Sequence, residues 1–165
     1  MPESEAGLGP VEAVIESPRG STVRTVFEPG TGWVQAGPAF PRPLPAEYGH
    51  LPGTYNPADG NPVDVMVIGY GPTFPGCRYR VRAIGLLLRA DGDHKVLAVP
   101  HTAEYVSPLR DLSEVSAEVL AELEDCFGRH FPLLGWRDAR RAEEWIVICR
   151  AVAEVREARM KDRAK

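Results

Sequence analysis

Two aspartates, Asp59 and Asp64, bracket the Gly-Asn-Pro turn of ADGNPVDVMV at the mouth of an apolar run. A second acidic group, Asp91 and Asp93 with Lys95, lies in RADGDHK between two further apolar runs. Carboxylates at turn positions are oxygen donors for a hard cation. Mg2+ in particular keeps several waters and combines a few carboxylates with substrate phosphates. A neighbouring lysine adds a point charge for a phosphate oxygen. Asp-Gly pairs are also ordinary turn formers, so spacing alone leaves a structural reading open. Between Asp59 and Asp64, the place of a third carboxylate is taken by the amide of Asn61.

Strands and turns must bring these residues together, and the patterning of the chain supplies both. Most of its 16 Pro and 16 Gly fall before residue 80, which favours short strands and turns there. Strand-type runs cover residues 11–16, 23–27, 32–35, 63–68, 79–88 and 96–99, with Glu-Pro-Gly-Thr-Gly as a hairpin connection. The Pro- and Gly-rich residues 37–60 read as a long structured loop. The period then changes. Ser116 is placed to cap a helix with Val119, Leu120, Leu123, Phe127 and Phe131 on one face, and Pro132 prevents its continuation. A second helix is expected from Asp138 towards Arg159, with Trp145, Ile148, Cys149, Val152 and Val155 as its apolar stripe. Strands first and helices last predict an α+β domain, a small antiparallel barrel with two C-terminal helices packed outside. Residues 1–10 read as a disordered lead-in and residues 11–165 as a single domain.

Composition narrows the function classes. Hydrophobic residues at 44% and charged residues at 25% fit an ordinary globular chain. A net charge of −4 disfavours sequence-independent nucleic-acid binding. Cys77, Cys126 and Cys149 lack CxxC spacing and read as reduced thiols of a cytoplasmic protein. The opening MPESEAGLGP has neither the basic flank nor the apolar core of a signal peptide. No apolar run approaches the roughly 18 residues that span a bilayer, so no membrane partner is expected.

The order of four stretches carries more information than any one motif. VEAVIESPRGS, LPAEYGHLPGT, DGNPVDVMV and PTFPGCRYRVRAIGLLLRADGDHKVLAVP together resemble the soluble, family I inorganic pyrophosphatases. The likeness continues more loosely through DCFGRHF, GW and AEEWI. It implies an OB-like five-stranded barrel with flanking helices, and hydrolysis of diphosphate with Mg2+. It also implies a homo-oligomer, commonly a hexamer. Carried over residue by residue, Glu16, Asp59, Asp64, Asp91 and Asp93 match metal-binding acids. Tyr48 and Lys95 match substrate-binding residues, and Arg24 replaces a phosphate-binding lysine. Asp64 is thereby expected in the catalytic group.

Departures from the family pattern are equally specific. Asn61 replaces the aspartate that helps to activate water, Val26 a glutamate, Ala36 a phosphate-binding arginine, and Leu44 a tyrosine. His130 and Phe131 replace a Tyr-Lys pair; His130 retains the capacity for acid–base work near neutral pH. Arg42 is the nearby substitute for the arginine missing at Ala36. An amide cannot act as a base, so weak or no hydrolysis of free diphosphate is expected. Retained carboxylates beside Val26, Leu44 and Phe131 suggest a metal-diphosphate end next to an apolar wall. The expected ligand is an organic diphosphate, for example an isoprenoid one, with Mg2+ as cofactor. A catalytically silent diphosphate-binding or structural module is the alternative.

Overall fold

A computed structural model describes residues 7–69, 71 and 73–165. Its strands are β1 (Val11–Ser17), β2 (Thr25–Glu28), β3 (Gly32–Gln35), β4 (Glu47–Asn56), β5 (Asn61–Val67), β6 (Arg78–Arg89), β7 (Lys95–Pro100) and β8 (Leu133–Asp138). Two helices, α1 (Ala117–Phe127) and α2 (Ala139–Arg163), complete the chain. Five strands close into a barrel in the order β1-β4-β5-β7-β6, because β1 pairs with both β4 and β6. β8 pairs with the Gly85–Arg89 end of β6, beyond the Arg78–Val81 stretch that meets β1, and β2-β3 form a separate hairpin. The expected α+β barrel is present with one correction: β5 and β7 run parallel, so the barrel is mixed rather than antiparallel throughout.

Alternation along the strands separates two apolar clusters. Val63, Val65 and Val67 of β5 join Ala142, Ile146 and Cys149 of α2. Met66 and Ile68, on the alternate face, join Leu123 and Phe127 of α1. That second face also carries Asp64, two residues before Met66, and Lys95, two residues before Leu97. The polar site therefore lies where the α1-covered face runs out.

Residues 37–60 are not the uninterrupted loop their composition suggests, since β4 occupies Glu47–Asn56. Gly49 and Pro52 suppress the usual strand signal there. Gly49 is required by proximity: a Cβ at that position would lie 1.9 Å from the Val14 carbonyl oxygen of β1. Of residues 1–10, the first six lie outside the described residues, whereas the Leu8 backbone N–H donates to Glu143 at 2.7 Å.

The helices also depart from expectation in detail. Ser116 caps α1 by accepting from the Val119 N–H, and Asp138 caps α2 by accepting from the Arg141 N–H. α1 stops at Phe127 with Gly128 as its C-cap, so Phe131 lies beyond the helix rather than on its face. β8 then occupies part of the segment between the helices. On α2 the buried stripe is Ala142, Ile146 and Cys149; Ile148 and Val155 are exposed.

Candidate active site

Strand register brings distant residues into one row. His50 of β4 pairs with Asp64 of β5, and Asp64 pairs with Lys95 of β7. Tyr48 pairs with Ser17 of β1, and Glu16 falls at the irregularity between Ile15 and Ser17. The β4–β5 turn carries Asp59, Asn61 opens β5, and the short β6–β7 connection carries Asp91 and Asp93. In the first turn Gly60 has a φ of 75°, which favours glycine. There the Asn61 backbone N–H donates to Asp59 Oδ1 at 3.0 Å, and Asn61 Nδ2 donates to the Asp59 carbonyl at 3.3 Å.

These elements surround a cavity of about 830 Å3. Glu16, Arg24, Val26, Tyr48, Asp59, Asn61, Asp64, Asp91, Asp93, Lys95, His130 and Phe131 all line it. Leu44 does not share this location: it is buried with Met66 and Leu97 in the α1-side cluster, its backbone N–H donating to the Ser21 carbonyl and its carbonyl accepting from the Gly20 N–H. Arg42 is also displaced from its expected role, forming an exposed ion pair with Asp125 of α1.

Within the cavity, carboxylate oxygens of Asp59, Asp64 and Asp93 lie within 4.8 Å of one another. An all-oxygen set of this kind suits Mg2+, with waters or phosphate oxygens completing the shell. The other two acids expected as ligands are engaged elsewhere. Glu16 lies 3.3 Å from His50 Nδ1. Asp91 accepts from Arg89 Nε at 3.1 Å and from Nη2 at 2.5 Å.

Lys95 is buried and donates to Tyr48 Oη at 2.8 Å, Asp64 Oδ2 at 2.7 Å and Asp93 Oδ2 at 2.9 Å. An ammonium has three N–H donors, so all are used within the protein. In this arrangement Lys95 organises the carboxylates rather than projecting to a phosphate. Burial raises the Asp64 pKa to about 6 against the opposing pull of Lys95, and the neighbouring Asp93 adds to the rise. Asp93 is held below its ordinary value: burial opposes this, but Lys95 and the hydrogen bond with Asp64 outweigh it. Hydrogen bonding to Arg89 lowers Asp91 to about 2. Burial, then the charges of Asp64 and Asp93, pushes the Tyr48 phenol well above its usual range, so it remains protonated.

Several cavity residues escaped the sequence reading. Arg89 was hidden at the end of the apolar run GLLLR, although a charge closing such a run is a visible signal. Arg129 adds a cation at the rim, and Phe27, Phe40 and Phe127 extend the apolar wall begun by Val26 and Phe131. Phe127 packs on Tyr48 with ring centroids 4.9 Å apart. His50, legible only as a structural residue, lines the cavity beside Glu16. Glu47 is buried and accepts from the Arg19 N–H at 2.7 Å and from Thr73 Oγ1, outside the metal group.

Comparison with known proteins agrees with this geometry. The model of the family described as "Inorganic pyrophosphatase" matches residues 13–161. The chain is 31% identical to the inorganic pyrophosphatase of Thermus thermophilus over 90% of its own length and 93% of that protein. It is 36% identical to the Geobacillus stearothermophilus inorganic pyrophosphatase, covering 77% of this chain and 79% of that one. The crystal structure of the Thermus thermophilus enzyme superposes with a TM-score of 0.80 at 29% identity, covering 89% and 92% of the two chains. With the barrel, the acidic turn pair and these matches in agreement, the chain belongs to the inorganic pyrophosphatase family.

Proposed function

We propose that this protein is a Mg2+-dependent enzyme acting on an organic diphosphate with an apolar substituent, and that it hydrolyses free diphosphate weakly or not at all. One observation carries the reading. The Asp59, Asp64 and Asp93 carboxylates converge in the same cavity as Val26, Phe27, Phe40, Phe127 and Phe131. A cavity of about 830 Å3 exceeds what a diphosphate alone requires and suits an organic ligand.

Mg2+ bound by the three aspartates would supply charge neutralisation for the diphosphate. Arg24, Arg129 and His130 line the same cavity and would contact phosphate oxygens not held at the metal end. Asn61 can donate a hydrogen bond to a phosphate or a water, but cannot remove a proton. A reaction in which diphosphate departs from an organic group dispenses with water activation at that position, and an isoprenoid diphosphate has the required apolar tail. The exposed Val147, Ile148 and Val155 of α2 support a homo-oligomer, with a hexamer as the expected form. Cys77, Cys126 and Cys149 are free, in keeping with a cytoplasmic location. No helix among the described residues is long and apolar enough to cross a membrane.

The test pairs ligand binding with turnover. In the presence of Mg2+, prenyl diphosphates should raise the melting temperature of the full chain more than free diphosphate or nucleoside diphosphates do. Product analysis of the prenyl compound then identifies the bond cleaved. Turnover of free diphosphate at about 10 per second or faster, an ordinary enzymatic rate, would overturn the altered-substrate reading. Binding of every diphosphate without turnover of any would identify a silent diphosphate-binding module instead.

A further inference from the structure

Arg89 ends β6 with a guanidinium buried at the acidic side of the cavity; the residue is 8% exposed. Its Nε and Nη2 form a fork on the two oxygens of Asp91, and Nη2 lies 3.6 Å from Asp93 Oδ2. Nη1 donates to the Phe127 carbonyl at 3.3 Å, and the Phe131 ring covers the guanidinium at 4.2 Å from its centroid. This group cannot lose its proton in a protein, so its charge is permanent. Drawing Asp91 away towards a metal would leave a buried cation short of its partner, which is strongly unfavourable.

Charge balance leads to the same place. Setting aside Glu16, which lies beside His50, and the separate cavity cations Arg24 and Arg129, the cluster of Asp59, Asp64, Asp91 and Asp93 carries four negative charges when ionised, and Arg89 with Lys95 returns two. One divalent cation balances the remainder. We propose that Arg89 is a tethered cation standing in for a second divalent metal ion. It holds Asp91 out of coordination and leaves one metal site, formed by Asp59, Asp64 and Asp93. The assignment rests on the Mg2+ reading above and adds a metal number and a residue that sets it.

Mn2+ serves as the probe, counted on the full chain without substrate by electron paramagnetic resonance and calorimetry. The wild-type chain should bind one Mn2+ with micromolar affinity. Arg89→Met, which frees Asp91 and removes a positive charge, should bind two. Arg89→Met/Asp91→Asn, which removes the whole ion pair and leaves the net charge unchanged, should still bind one, with affinity changed less than about threefold. Two or more Mn2+ on the wild-type chain, or a single ion on folded Arg89→Met, overturns the role of Arg89 while leaving metal-dependent chemistry intact. No Mn2+ on the wild-type chain overturns both. Should Arg89→Met fail to fold, the charge-neutral Arg89→Met/Asp91→Asn chain decides: loss of the ion, or a weakening beyond threefold, makes Asp91 a ligand and overturns the proposal.

Discussion

Asp64 and Lys95 are cross-strand partners on β5 and β7, the one parallel pair in the barrel, and Lys95 Nζ lies 2.7 Å from Asp64 Oδ2. The ammonium is 3% exposed and also holds Asp93 and Tyr48. Removing it leaves two crowded carboxylates without their central cation. Lys95→Met should therefore destabilise the metal-free protein by about 3–5 kcal/mol, the usual range when one partner of a buried pair is lost. Urea denaturation measures the change. Adding Asp64→Asn to Lys95→Met should recover part of it, since one buried negative charge is then absent.

Asp64 also sets a pH dependence. Its folded-state pKa of about 6 lies above the ordinary value of 3.8, chiefly through burial. Between those values the folded chain holds a proton that the unfolded chain has released. Stability from this group is thus fully present below pH 3.8 and is lost as pH rises through about 6. The metal-free wild type should lose roughly 2–3 kcal/mol relative to Asp64→Asn across that window. Mg2+ requires the ionised carboxylate, so its affinity should fall about tenfold per unit below pH 6. Calorimetry at pH 5, 6 and 7.5 distinguishes this from a flat profile, which would place Asp64 outside the metal site.

Asn61 is exposed at the start of β5, and it bonds Asp59 twice, through its backbone N–H at 3.0 Å and through side-chain Nδ2 at 3.3 Å. Asn61→Asp loses only the longer, exposed bond and should cost about 0.5–1.5 kcal/mol. Under the proposed reading, a carboxylate introduced beside the metal group should raise hydrolysis of free diphosphate by about 10²-fold or more. Phosphate release reads the rate directly. An unchanged rate would count against water activation at position 61 as what limits the reaction.

Phe131 is 43% exposed and stacks over Arg89 at the cavity edge. Phe131→Ala should weaken binding of a prenyl diphosphate by about tenfold and leave free diphosphate nearly unaffected, because only the former uses the apolar wall. Equal losses for both ligands would assign Phe131 to holding the guanidinium rather than to contacting substrate. The same titrations on Val26→Glu should show the prenyl compound disfavoured, as a carboxylate enters that wall.

Much of the site was legible before the fold was known. Asp59, Asp64 and Asp93 occur at turn positions beside apolar runs, and family resemblance assigns them to metal. Strand alternation places Asp64 on the face opposite Val63 and Val65, and the caps Ser116 and Asp138 declare their helices through local chemistry. β4 was illegible because Gly49 and Pro52 carry signals of a loop, although Gly49 is there for close contact with β1. Leu44 illustrates the complementary failure. A residue matched to a ligand-contacting position lies in the core, its backbone tied to Gly20 and Ser21, which are far from it in the chain.

By itself, the sequence determined the family, the acidic residue types, an amide at Asn61 and apolar residues at Val26 and Phe131. Those are properties of residue identity and order. Only the tertiary structure decided how the charges are divided: Lys95 spends its three donors on Tyr48, Asp64 and Asp93, while Arg89 draws Asp91 aside. The cause is register. Pairing of β5 with β7 and the short β6–β7 connection set which carboxylate meets which cation, and distances of a few ångströms between residues far apart in the chain are not written in residue type.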